Sequence, residues 1–264
     1  MGKGFLPQYY NNIDAILAAA AQVEGMMRAR ELKFLVMAAL CRSAEGCILE
    51  IGSFKGQSTV TLAKAATLLG EDKIYATDPF DPAYETTPEP FHANLQRQGV
   101  DGVVEFTQLY SHDLAKTWDR KIRFLWIDGD HSYEGVRSDV TLFEPFLTPG
   151  AILASHDILS DQVGAARAFG EYVLLSDKYG AAGVCGSIGW AQYVGQCSDA
   201  ERAKKRDLAV RLGRLAPYAD YRRKGISPLV KAYEKHMYKI MRWNVPHGFP
   251  SPEGWLKKIG ITQD

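Results

Sequence analysis

Ile48-Leu49-Glu50-Ile51-Gly52-Ser53-Phe54-Lys55-Gly56-Gln57-Ser58 is the stretch that decides how this chain folds. The apolar run from Cys47 to Ile51 is short and continuous, the pattern of a central parallel strand covered on both faces. Gly52 and Gly56 let the backbone turn sharply and approach a ligand closely. From Ser58 the period becomes helical, with Leu62, Ala65, Ala66 and Leu69 on one face, so the free amides of a helix start point back at the turn. A strand that breaks at glycine and restarts as a helix is a place for a nucleotide-like ligand. Glu50, at the inner end of the strand, suits an ammonium or hydroxyl group better than a pyrophosphate.

A dinucleotide turn needs G-x-G-x-x-G, whose second glycine admits the pyrophosphate. Here Glu-x-Gly-x-x-x-Gly stands instead, which argues against a dehydrogenase. The pattern resembles the first motif of class I S-adenosylmethionine (SAM)-dependent methyltransferases, whose cofactor carries an amino-acid end and a ribose but no phosphate.

With 264 residues, 46% hydrophobic content and 23% charged residues, the chain can bury a full core. No apolar run is long enough to span a bilayer, and residues 1–10 lack a basic region followed by an apolar core. We therefore expect a cytoplasmic protein without a membrane partner. Cys41, Cys47, Cys185 and Cys197 show no C-x-x-C spacing, so they read as thiols in a reducing compartment. Formal net charge is zero but uneven: residues 1–197 carry 16 Lys and Arg against 24 Asp and Glu, and residues 198–264 carry 15 against 7. The tail is thus a distinct basic unit. Leu208, Leu212 and Leu215 form a stripe that an isolated helix could not bury, so packing and assembly into a homo-oligomer are expected of it. No nucleic-acid reader motif accompanies the Arg222-Arg223-Lys224 cluster, and no nucleic-acid partner is expected.

Residues 11–24 and 26–42 read as two helices. Strands are expected at 73–77, 103–108, 122–127 and 151–155, with helical stretches near 90–98, 112–118 and 133–147, the last closed by Pro149-Gly150. Such alternation gives a doubly wound, mostly parallel Rossmann-like α/β sheet, whose ligands bind at the strands' carboxyl ends. Residues 187–194 read as a last, antiparallel edge strand, and the glycine-containing loop 176–186 as a lid. The tail carries helices near 199–215 and 227–242 and a Pro/Gly-rich end over 246–254. The expected organisation is an N-terminal helical cap over 1–45, a ligand-binding core over 46–197 and a basic helical extension over 198–264.

Asp78 ends the second strand, where a carboxylate can hydrogen-bond both ribose hydroxyls of an adenosine. Phe80 and Tyr110 are candidates to pack on the adenine ring, and Ser111 to meet its edge. The fourth strand ends Trp126-Ile127-Asp128-Gly129-Asp130-His131-Ser132-Tyr133 and the fifth ends Ala154-Ser155-His156-Asp157. Two neighbouring strand ends thus bring metal-capable and titratable side chains to one rim. Over residues 24–194 the chain resembles the O-methyltransferase branch that includes catechol and macrolide-sugar O-methyltransferases and the cephalosporin hydroxylase-like group. Asp-Gly-Asp-His-Ser-Tyr-Glu-Gly at 128–135 is the most specific part of that likeness.

The resemblance implies a role for each matching residue. Glu50 and Gly52, with Ser53 and Phe54 in the turn beside them, match the contacts to the cofactor's methionine end. Ser58 matches the helix-start hydroxyl, Asp78 the ribose acid and Ser111 the adenine-side serine. Asp128 matches the first metal carboxylate and also borders the cofactor. His156 and Asp157 match the paired ligands that follow it, and His131 the catalytic base. Where relatives carry Asp or Glu, this chain has His156, and imidazole suits Mn, Fe, Co or Zn better than Mg.

The implied activity is methyl transfer to a hydroxyl of a small molecule, a sugar or natural product, aided by a divalent ion (Mg, Mn or Fe). In-line displacement at a sulfonium needs donor and acceptor held in alignment and a more nucleophilic oxygen. A metal lowers the hydroxyl's pKa, and an imidazole takes the proton. Two other readings stay open: a two-histidine, one-carboxylate iron site of the oxygenase type, and a non-catalytic cofactor-binding scaffold. The sequence carries no readable code for the acceptor.

Overall fold

The computed structural model describes residues 5–70, 73–84, 86–160 and 163–261. Seven strands form one sheet in the order β3-β2-β1-β4-β5-β7-β6, comprising β1 (Cys47–Ile51), β2 (Ile74–Thr77), β3 (Val104–Thr107), β4 (Ile122–Ile127), β5 (Leu147–Ser155), β6 (Tyr179–Cys185) and β7 (Ile188–Tyr193). The first five run parallel. β7 pairs antiparallel with β5, and β6 antiparallel with β7. This is the doubly wound sheet expected of the sequence.

Alternation along the strands divides the core in two. Ile48, Phe124 and Trp126 face one apolar layer, while Leu49, Ile51, Leu125 and Ile127 face the other. The first layer is covered by α1 (Phe5–Ala20), α2 (Ala29–Leu40), α3 (Gln57–Leu68) and α4 (Pro88–Arg97), and α10 (Pro252–Lys258) joins them from the other end of the sequence. α6 (Tyr133–Phe143), α7 (Val163–Phe169), α8 (Asp199–Gly213) and α9 (Pro228–Trp243) supply the second layer, beside the short α5 (Ser111–Leu114). α2 is buried continuously from Phe34 to Leu40, as a helix apolar on every side must be. Among the described residues, no helix is long and apolar enough to cross a membrane.

Several expectations are corrected. The supposed lid over 176–186 is mostly the edge strand β6, and β7 lies inside it. Its glycines serve packing: a Cβ on Gly183 would sit 3.1 Å from the Trp190 indole. Pro149 and Gly150 do not close a helix but lie within β5, where the register against β4 shifts. The first helices span 5–20 and 29–40, displaced from the expected 11–24 and 26–42. α7 was not foreseen, and the Pro/Gly-rich end contains α10.

α10 matters to the core. Trp255 is fully buried, its ring centroid 4.5 Å from that of Trp190 and 5.4 Å from that of Phe34, edge-on to the latter. Trp255→Ala should therefore destabilise the whole molecule by about 3–5 kcal/mol, the usual cost of emptying an aromatic site. A denaturant midpoint unchanged from the wild type would show that α10 is only loosely attached.

Candidate functional site

β1, β4 and β5 end level with one another: Ile51 registers with Ile127, and Ile127 with Ser155. The ladder continues one step further, Asp128 N–H donating to the Ile51 carbonyl at 2.8 Å and His156 N–H to the Ile127 carbonyl at 2.9 Å. Gly52, Asp128 and His156 thus stand side by side on one rim. Strand order reverses at β1 and β4, where an open α/β sheet leaves its ligand crevice.

A cleft of about 200 Å³ lies there, walled by the turn residues Gly52, Ser53, Phe54 and Ser58 on one side and by Asp128, His131, His156 and Asp157 on the other. Eight of the residues singled out in the sequence therefore share one cavity. Glu50, Asp78, Phe80, Tyr110 and Ser111 do not line it. Glu50 lies beneath the turn, accepting hydrogen bonds from Thr59 Oγ1 at 2.6 Å and Ser53 Oγ at 3.3 Å, while its Oε1 is buried without a partner. Burial pushes its carboxyl up to about 7, against the pull of hydrogen bonds from Ser58, Thr59 and Ser53 and with the push of the Asp128 charge.

Asp78 accepts from three backbone amides, Ser53 and Phe54 N–H on Oδ2, each at 2.9 Å, and Phe80 N–H on Oδ1 at 2.8 Å. It clamps the glycine turn to the end of β2. Phe80 is buried against Phe91 and Phe106, whereas Tyr110 is exposed, donates to Asp81 Oδ2 at 2.6 Å and stacks on His112. The Ser111 hydroxyl is occupied by Asp139 Oδ1 at 2.5 Å.

The loop 128–135 divides its labour. Asp130 Oδ1 accepts from Ser132 N–H and Oδ2 from Ser132 Oγ, both at 2.8 Å, and Ser132 Oγ caps α6 by accepting from Gly135 N–H at 3.0 Å. A Cβ on Gly135 would lie 2.6 Å from Asp130. Asp130, Ser132 and Gly135 therefore fix the loop, leaving Asp128 and His131 to face the cleft. His156 Nδ1 lies 3.0 Å from Asp128 Oδ1 and 3.7 Å from Asp157 Oδ1, and His131 Nε2 lies 3.7 Å from both carboxylates. Burial alone would depress the His156 pKa, but the Asp128 carboxylate, with Asp157 and Glu31, overcomes it and raises it to about 9.

Ligand atoms of Asp128, His131 and His156 fall within 4.8 Å of one another. The buried His156 Nε2 has no hydrogen-bond partner. Two imidazoles and carboxylate oxygens form a donor set that fits a divalent transition ion. The sequence reading placed Asp157 in this set and His131 beside it; the geometry gathers His131 more closely. Asp157 itself adopts a left-handed backbone, φ +57°, as do Phe54 at +46° and Phe80 at +47°. Three strand ends thus finish in a conformation that non-glycine residues seldom take, and such strain concentrates at functional sites.

Gly25, Met26 and Met27 also wall the cleft, as does Gln57, and none of these was singled out in the sequence. Gln57 ties the 21–28 segment down: its Oε1 accepts from Met27 N–H at 3.2 Å and its Nε2 donates to the Val23 carbonyl at 3.3 Å. No local pattern announces so distant a bond. Thr59 could have been found, since it faces the strand two residues after the helix start.

Residues 49–158 match a family model described as a methyltransferase domain. Among solved structures the chain is similar to a cofactor-bound protein from MTB, at 23% identity and a TM-score of 0.53, over 70% of this chain and 91% of that one. It is similar to the O-methyltransferase TomG from Streptomyces achromogenes, involved in tomaymycin synthesis and solved with SAM, at 20% identity and 0.52, over 69% and 89%. An O-methyltransferase from Bacillus cereus in complex with SAH (S-adenosylhomocysteine) gives 17% and 0.50, over 69% and 90%. The likenesses establish the fold. Within that fold, residues 49–158 are the part that matches a methyltransferase domain.

Asp139 gives a pH test of this region. Burial raises its carboxyl from the ordinary 3.8 to about 7, against the Ser111 hydrogen bond and with the Asp130 charge. The folded state then holds a proton that the unfolded state releases, so this group's stabilising contribution is complete below 3.8 and is lost as pH rises through about 7. Thermal melts of Asp139→Asn against wild type should show a smaller loss of stability across that interval. Parallel profiles would mean Asp139 is ionised in the fold.

Proposed function

We propose that the chain moves a methyl group from SAM to a hydroxyl of a small molecule, with a divalent ion at Asp128, His156 and Asp157 and with His131 as base. One observation carries this reading: the glycine turn and the Asp128–His131–His156–Asp157 cluster wall the same cleft. When bound, the cofactor supplies an electrophilic methyl on sulfur and the ion a Lewis acid that makes the acceptor hydroxyl more acidic. Ser53, Phe54 and Ser58 would hold the amino-acid end of the cofactor, with Glu50 setting the orientation of the Ser53 hydroxyl beneath them. Asp78 would keep the turn in place and offer its remaining lone pairs to the ribose. His131 Nε2 would take the hydroxyl proton as the acceptor oxygen bonds to the methyl carbon and the carbon–sulfur bond breaks. Met26 and Met27 would cover the reacting atoms with apolar surface and keep water out.

Calorimetry with SAM and SAH tests the cofactor part. Both should bind, and Asp78→Ala should weaken them by about 1–3 kcal/mol, the cost of leaving buried partners unmatched. Binding of NADH with no heat from either sulfur ligand would refute the reading.

A second assignment is favoured by the tighter grouping of Asp128, His131 and His156: His131 is itself a ligand, in a two-histidine, one-carboxylate site. The two assignments part at His131→Ala. A base predicts retained metal and cofactor with turnover lower by about 10²- to 10⁴-fold, and a ligand predicts loss of bound metal by elemental analysis. Full activity after exhaustive chelation would exclude the metal from either.

A further inference from the structure

A second and larger cavity, of about 530 Å³, runs between the start of α2 and the C-terminal half of α9. Arg28 and Arg30 on one wall face Lys239, Arg242 and Trp243 on the other, with His247 at the end, and no acidic residue lines it. None of these four permanent cations pairs with a carboxylate among the described residues. Arg30 Nε is buried with no hydrogen-bond partner. Trp243 stands 88% exposed on the rim, an unusual position for so large an apolar ring. Like charges gathered in a concave surface repel one another until an anion neutralises them, and guanidinium forks match the oxygens of a phosphate.

The groove adjoins the methyl-transfer cleft through short links. Met27 walls the cleft and Arg28 the groove. The carbonyl of His247 accepts from Gly186 N–H at 2.9 Å, and Ser187 Oγ lies 3.4 Å from Asp157 Oδ1. On the far wall the Tyr238 hydroxyl donates to the Ser160 carbonyl, which binds α9 to the loop leaving β5.

We infer that this groove anchors the methyl acceptor, and that the acceptor is a phosphorylated small molecule with a planar ring. Its phosphates lie among Arg28, Arg30, Lys239 and Arg242, its ring stacks on Trp243, and its hydroxyl reaches the Asp128–His131 rim. The volume lies within the range of about 300–1,000 Å³ that single small ligands occupy, which sets this groove apart from the long basic stripe of a nucleic-acid surface. The inference rests on the methyl-transfer reading for the role of the anchored molecule, but not for the binding itself.

Inorganic pyrophosphate and uridine diphosphate, a pyrimidine that does not compete for an adenosine pocket, should be titrated calorimetrically into the full chain with and without SAH. Both should bind, the nucleotide more tightly. Lys239→Gln/Arg242→Gln, at the surface of α9, and Arg30→Gln should each weaken both by roughly tenfold or more, the loss expected for charge-assisted contacts. Trp243→Ala should weaken only the nucleotide, and SAH affinity should be the same in every variant. Absence of pyrophosphate binding to the wild type, or equal affinity in wild type and variants, would overturn the inference. So would a single-stranded RNA oligonucleotide that binds more tightly than the nucleotide. If pyrophosphate binds as expected and SAH does not, the groove stands and the methyl-transfer reading falls.

Discussion

Everything at the site depends on how closely the end of β1 approaches the end of β4. Gly52 has φ +86°, and a Cβ there would meet the Asp128 carbonyl oxygen at 2.4 Å, so only glycine can leave the strand at this point. Its N–H is claimed on the other side by the Thr77 carbonyl at 2.8 Å. The turn is thereby held between two neighbours while the chain departs into α3. α3 covers one face of the sheet and α6 the other, and the crevice is what remains between them. A backbone contact thus sets the spacing between the two walls of the cleft.

The charged cluster gains its order from the same framework. Asp128, His156 and Asp157 follow directly on buried strands, and His131 is fixed by the Asp130–Ser132–Gly135 loop, so few side-chain torsions remain to be frozen when a ligand arrives. The Asp128 and Asp157 carboxylates favour the protonated form of the buried His156, which offsets part of their charge. The left-handed backbone of Asp157 is the cost of aiming both neighbours of the β5 end into one cavity.

Strand positions, the parallel order of the first five strands and the grouping of Asp128, His131, His156 and Asp157 were legible because each depends on local pattern: apolar runs, glycine breaks and acids at strand ends. Glu50 and Asp78 were found for the same reason, but their partners were not. Whether a carboxylate faces a ligand or three backbone amides depends on a turn that closes from elsewhere in the chain. The glycines at 180, 183 and 186 signalled flexibility by composition, whereas Glu201, Trp190 and Glu31 respectively leave them no room for a side chain. Gln57 and the wall formed by Gly25, Met26 and Met27 join distant segments, and no window of sequence holds such information. The excess of cations in the tail is plain from composition, yet the gathering of Lys239 and Arg242 with Arg28 and Arg30 around one cavity belongs to the tertiary structure alone.

Trp255 closes on Phe34 and Trp190 from a segment far along the sequence from α2. During synthesis, α1 to α4 and the sheet emerge from the ribosome well before α10, and their shared apolar layer stays open to solvent at the Trp255 site until then. Any species in which the sheet has formed before α10 docks leaves that face uncovered, and exposed apolar surface of this kind is what chaperones recognise and what aggregates.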